Sequence, residues 1–152
     1  MLKNIDPLLT PELLKVLCEM GHGDEVVLAD ANFTAESLGR GHIVLRLPGA
    51  DLQRACAAVL SVLPLDDSVA QPAAYMQVGG SAPGYRSGLQ RAVIAQAAVL
   101  DPACDASKWE AVERFAFYER AARAYAIVQT GEMQPWGNIV FKKGVIADRL
   151  LA

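Results

Sequence analysis

The run Val26-Val27-Leu28-Ala29 places four apolar residues in succession, with no polar residue at alternate positions. A strand of this kind has no face for water and must be covered on both sides. That requirement implies a sheet enclosed by helical layers. Residues 43–47, 73–78, 125–130 and 138–142 read as further strands. Thr10-Pro11-Glu12-Leu13 starts a helix with a capping threonine, proline in its first turn and an early acid, and Gly21 stops it. Gly49-Ala50-Asp51 opens a second helix, which Pro64 closes, and residues 89–100 and 113–124 read as two more. Residues 32–38 form a turn or short helix. Residues 79–84 and 101–108 are loops, with regular structure resuming at Lys108-Trp109-Glu110. Helices and strands alternate with no internal repeat and no linker. The expectation is an α/β fold in one domain over residues 1–152, with three α/β/α layers around a largely parallel sheet. In such sheets ligands gather outside the carboxyl ends of the strands.

Composition narrows the function classes. The chain is 53% hydrophobic, yet no run reaches the roughly 18 to 20 apolar residues of a spanning helix. The opening Met1-Leu2-Lys3-Asn4-Ile5-Asp6-Pro7 has too short an apolar run for a secretory signal. Apolar surplus without a membrane points to contacts between subunits. A net charge of −3 argues against a nucleic-acid partner. Cys18, Cys56 and Cys104 are odd in number and far apart, which suits a reducing compartment. Cys18 and Cys56 fall in helical patterns and read as small buried hydrophobes rather than nucleophiles.

Three clusters could carry chemistry. The first is Gly21-His22-Gly23-Asp24-Glu25, where one of two histidines sits between glycines just before the apolar strand. An imidazole, which ordinarily titrates near pH about 6.5, suits proton transfer near neutrality. The glycines precede a strand instead of following one, so a dinucleotide fingerprint is excluded. His22 and Asp24 are too few to hold a metal, and His42 is not an obvious third ligand. Asp30 closes the strand, five positions beyond Glu25. At about 3.3 Å per residue the strand separates its ends by roughly 16 Å. Either the His22 loop folds back toward Asp30, or the two groups meet across a subunit boundary.

The second cluster is the helix from Arg114, in which Phe115, Phe117 and Tyr118 are core candidates. Arg114, Glu119, Arg120 and Arg123 read as a solvated face with helix-type ion pairs. The third is Pro135-Trp136-Gly137-Asn138, where a tryptophan in a polar turn makes a poor core residue. An aromatic face beside amide and carboxylate groups is a common way to hold a sugar.

Together these stretches resemble the RbsD/FucU family of sugar mutarotases and pyranases, more closely its fucose branch. The resemblance is carried by Pro7-Leu8-Leu9-Thr10-Pro11-Glu12-Leu13-Leu14, Glu19-Met20-Gly21-His22-Gly23-Asp24-Glu25 and Asp30-Ala31. Late in the chain it is carried by Arg114-Phe115-Ala116-Phe117-Tyr118-Glu119-Arg120-Ala121, Thr130-Gly131-Glu132, Gly137-Asn138-Ile139 and Lys142-Lys143-Gly144-Val145. Residues 40–108 match less specifically.

The resemblance implies an isomerase that interconverts the α and β anomers of a free monosaccharide, L-fucose or a related sugar, without metal or organic cofactor. It assigns His22 as the acid/base and Asp30, Arg114, Trp136, Gly137 and Asn138 as sugar contacts. It also implies a cytoplasmic homo-oligomer, commonly a decamer, with each site completed by a neighbour. Trp136 stands where the family usually has tyrosine, which keeps the stacking face and removes a phenol. Asn32 stands where fucose-type members often have histidine. The rival readings are a non-catalytic sugar-binding or transport-accessory protein, which loss of the phenol favours, and a purely structural oligomer.

Overall fold

A computed structural model describes residues 1–147. Six strands form one sheet: β1 (Glu25–Ala29), β2 (Ile43–Leu47), β3 (Ala73–Met76), β4 (Trp109–Val112), β5 (Ala126–Thr130) and β6 (Ile139–Lys142), in the spatial order β2-β5-β1-β6-β3-β4. Pairs β2·β5, β1·β5 and β3·β4 are parallel. β6 lies antiparallel between β1 and β3. Five strands therefore share one direction, and the largely parallel expectation holds with one reversed strand at the sheet's centre. β4 is the regular structure expected to resume near Trp109.

Five helices flank the sheet: α1 (Pro11–Glu19), α2 (Ala35–Leu38), α3 (Leu52–Leu60), α4 (Gly88–Leu100) and α5 (Arg114–Arg123). Their starts are written in side chains that satisfy free backbone donors. Thr10 Oγ1 accepts from Leu13 N–H, Asp51 from Arg54 N–H, and Glu113 from Phe115 and Ala116 N–H. Ser87 and Gln90 form a reciprocal capping box at α4. α3 ends at Leu60, short of the expected stop at Pro64, with Ser61 as its cap. The 101–108 loop contains one tight 3₁₀ turn, Ala106–Lys108.

The apolar run of β1 splits between the two faces as its pleat demands. Val26 and Leu28 pack with Leu13, Leu17, Leu52, Val59 and Val93 of α1, α3 and α4. Val27 and Ala29 pack with Ala35, Phe117 and Ala121 of α2 and α5. The three layers follow from that division. Phe117 is fully buried as expected, but Phe115 is 66% exposed because it lies in the first turn of α5, away from the sheet. Cys56 and Cys104 are buried, and burial pushes both thiols up, that of Cys104 to about 11. Cys18 is exposed, contrary to its expected burial.

Arg120 also departs from the solvated face expected of it. Its guanidinium is only 18% exposed and grips the Glu25 carboxylate through two nitrogens, at 2.9 and 2.7 Å. It thereby ties α5 to the start of β1. No helix among the described residues is long and apolar enough to cross a membrane.

Candidate functional site

Asp30, Asn32, Phe33, Met76, Arg114, Tyr118, Pro135, Trp136 and Asn138 line an open cavity of about 230 Å³. It lies at the carboxyl ends of β1, β3 and β4, where the turn before the reversed β6 also arrives. The volume is below the roughly 300 to 1,000 Å³ of drug-sized sites, so it suits a small molecule.

Asp30 and Asn138 form its polar floor, both buried. Asn138 Oδ1 accepts from Asp30 N–H at 2.9 Å, and its amide nitrogen donates to Asp30 Oδ2 at 3.1 Å. This exchange fixes which way the amide faces. Burial pushes the Asp30 carboxyl above its usual range, and the Glu132 charge adds to the rise. The N–H groups of Asn32 and Phe33 and the Asn138 amide act against it. Gln129 donates to the carbonyls of Ala31 and Phe33, each at 3.0 Å, and so clamps the turn that follows Asp30.

The aromatic wall is built from α5 and the turn before β6. Phe33 packs edge-on against Phe117 and Tyr118. At the rim, Arg114 Nε donates to Tyr118 Oη at 2.9 Å, and its guanidinium lies over the Phe115 and Tyr118 rings. Trp136 holds a left-handed backbone with φ of +67°, uncommon for a bulky residue. Gln90, fully buried at the start of α4, donates to the carbonyls of Trp136 (3.2 Å) and Met76 (2.8 Å). The indole ring lies on Gly79, where a Cβ would come within 2.7 Å of the ring. Gly137 is buried behind the wall and does not line the cavity, although it was expected among the ligand contacts. A Cβ there would press on Gln134, Glu132 and Leu89, so this glycine serves the turn itself.

Asp30, Arg114, Trp136 and Asn138 thus meet in one place. His22 does not. Its loop precedes β1, at the amino end of the strand, and does not fold back. Gly23 N–H donates to Lys143 O at 2.9 Å, and His22 Nε2 lies 3.1 Å from Asp66 Oδ1. A separate cavity of about 440 Å³ there is lined by Asp66, Asp67, Asp101, Cys104 and Lys108, among others. His42 is exposed and lies just before β2, where its N–H donates to Gly39 O. Among the described residues no three His, Cys, Asp or Glu side chains gather as a metal-holding group.

The signals for Gln90, Gly79 and Asp66 were faint. Only the Ser87-x-x-Gln90 capping pattern could have been read locally. The bonds that matter span 46 and 44 positions and leave no spacing signature.

Fold and cavity together define a small three-layer α/β protein with a polar and aromatic pocket of small-molecule size at its strand ends. The chain belongs to the RbsD/FucU transport protein family, which it matches over residues 3–146. It is 45% identical over 148 residues to the fucose mutarotase of Mus musculus, with 95% of each chain covered. It is 46% identical over 147 residues to the L-fucose mutarotase of Glaesserella parasuis serovar 5, covering 95% of this chain and 96% of that one. The crystal structure of the fucose mutarotase of Streptococcus pneumoniae in complex with L-fucose superposes with a TM-score of 0.81 at 35% identity, covering 96% of this chain and all of that one.

Proposed function

We propose that this protein is a fucose mutarotase, an isomerase that interconverts the α and β anomers of free L-fucose. The observation that supports this most is the 230 Å³ pocket. It sets the Asp30–Asn138 pair against an aromatic wall, in a chain about 45% identical along nearly its whole length to fucose mutarotases. Mutarotation opens the hemiacetal and recloses it on the other face. One group takes the proton of the anomeric hydroxyl while another delivers a proton to the ring oxygen, and the two transfers balance. The reaction already proceeds in water, so one proton shuttle worth about 10² to 10⁴-fold is adequate. In this reading Asp30, Asn138 and Arg114 hold hydroxyls, Trp136 supplies the stacking face, and His22 is the acid/base. No organic cofactor or metal is required.

His22 then comes from a neighbouring subunit. Its side chain is 52% exposed and so open to a partner. Apolar side chains stand free at both ends of the sheet. Phe115 and Met133 adjoin the pocket residues, and Val145 and Ile146 follow the strand beside His22. Joining two different ends of identical subunits is a heterologous contact, which gives a ring when its rotation closes. A decamer accords with this reading, as does a cytoplasmic location for a single domain with three free cysteines.

Saturation-transfer NMR tests the activity. Adding the protein is expected to raise the anomer exchange rate of L-fucose above that of D-ribose. Unchanged exchange across several sugars overturns the proposal, and calorimetric binding without exchange selects a sugar-binding accessory instead. Gly79→Ala should raise KM for L-fucose about tenfold, a change of about 1.4 kcal/mol, because the new methyl pushes the indole into the pocket. An unaltered KM would show that the indole is not a sugar contact.

A further inference from the structure

Gln90 is a polar residue in a core position. It lies in the first turn of α4, on the buried face that also carries Val93, Ile94 and Ala97. A buried amide is costly unless its polar atoms find partners. Here both do. Oε1 accepts from Ser87 N–H at 3.0 Å, and Nε2 donates to Met76 O at 2.8 Å and to Trp136 O at 3.2 Å. Both donor positions of the amide and its oxygen are thereby engaged. The sense of the amide is fixed as well, because exchanging oxygen and nitrogen would set donor against donor and acceptor against acceptor.

Capping α4 needs only the oxygen. The nitrogen reaches past the helix, to the end of β3 and to the turn before β6, and Met76 and Trp136 both line the pocket. The Trp136 carbonyl follows a left-handed backbone, which persists in a bulky residue only where its surroundings hold it. Glu132 Oε1 holds the start of this turn through Gln134 N–H, at 2.9 Å. Asn138 O holds its end through Met76 N–H, at 3.0 Å. Gln90 holds the middle, at the residue whose ring lies on Gly79.

We propose that Gln90 is a positioning residue for the sugar site, pinning the strained Trp136 turn to β3 so that the indole stands ready as the stacking face. The inference rests on the reading of Trp136 as a sugar contact. A wall ordered during folding spares the ligand the cost of ordering it. Without the amide nitrogen, the Trp136 carbonyl is free to turn and the indole to swing off Gly79.

Two measurements test it. Gln90→Glu keeps the shape and an oxygen for Ser87 N–H, but donates one bond at most when protonated and none when ionised. It should raise KM for L-fucose about 10- to 100-fold, with kcat within about threefold. Gln90→Met, which keeps the length and carries no charge, should do the same and serves if the buried acid unfolds the protein. Ser87→Ala removes a helix cap and leaves both donated bonds, so KM should stay within about threefold while the melting temperature falls by a few degrees. The second measurement does not need activity. The chain has two tryptophans, so ¹⁹F spectra of 5-fluorotryptophan-labelled protein contain two signals, and Trp136→Phe assigns them. Gln90→Glu should shift or split the Trp136 signal and leave that of Trp109 in place. A Gln90 variant of native melting temperature with unchanged KM or an unchanged Trp136 signal overturns the proposal. So does a Ser87→Ala protein whose KM rises as far as that of Gln90→Glu. Unaltered KM in Gly79→Ala as well places the failure in the stacking reading. Absence of exchange by the wild-type protein removes the functional reading, and the ¹⁹F signals still decide whether Gln90 holds the turn.

Discussion

His22→Ala is expected to abolish catalysed anomer exchange, lowering kcat by about 10² to 10⁴-fold, the worth of one proton shuttle. The fold should be untouched. The imidazole is half exposed and has one side-chain partner, Asp66, which keeps both of its bonds from Ser68. Losing one hydrogen bond from a half-exposed imidazole, to a carboxylate that stays bonded to Ser68, should move the melting temperature by no more than a few degrees. The sharper form of the test uses the distance between His22 and Asp30. They stand at opposite ends of β1, so one subunit cannot bring them together. At sugar concentrations below KM, His22→Ala and Asp30→Asn proteins should each be strongly impaired, yet mixed oligomers should regain activity wherever an intact His22 meets an intact Asp30. Mixed oligomers with no recovery would show that the two residues do not share a site. Full activity of His22→Ala alone would remove the histidine from the mechanism.

What was legible in the sequence is what local chemistry encodes. The unbroken apolar β1 required cover on both faces, and the structure divides Val26 and Leu28 from Val27 and Ala29 accordingly. Thr10 and Asp51 announced helix starts because a cap acts within three residues. The reversal of β6 was not legible: a strand buried on both faces carries no mark of its direction. Phe115 and Cys18 were misplaced for a related reason. Aromatic density and helical spacing state that a face is buried, but not which residues of a first or last turn fall outside it. In the candidate site, Asp30, Arg114, Trp136 and Asn138 were assigned together through the family resemblance, while residue type alone placed Arg114 on a solvated face, and the fold gathers the four. Gln90 and Asp66 escaped because each acts through bonds to distant partners, which only the folded chain brings near. The roughly 16 Å reckoned along β1 posed the choice between a folded-back loop and a subunit boundary, and the bond from Gly23 to Lys143 excludes the first within one chain.

Asp30→Asn should separate ligand binding from stability, since the same burial opposes one and enables the other. Burial raises the Asp30 carboxyl above its ordinary value of 3.8 in the folded chain. The native state therefore binds more protons than the unfolded state through that window, and stability falls as pH rises from the unfolded value through the folded one. Above it the full cost of a buried charge remains. An asparagine has no such charge and still offers one oxygen to Asn138 or Asn32. The variant should therefore be at least as stable as wild type at neutral pH, with the difference closing as the solution is acidified. Denaturation followed across that pH range measures it. Sugar binding should move the other way. A hydrogen bond to an ionised group contributes about 1.5 to 3 kcal/mol, so its loss should weaken L-fucose binding about 10- to 150-fold. A variant that binds L-fucose as wild type does would remove Asp30 from the site, and one less stable at neutral pH would show that the Asn138 and Asn32 bonds outweigh burial. If Asp30 holds a sugar hydroxyl, the same burial favours that bond, because a carboxylate that water solvates poorly gains more from a new donor than one in bulk water.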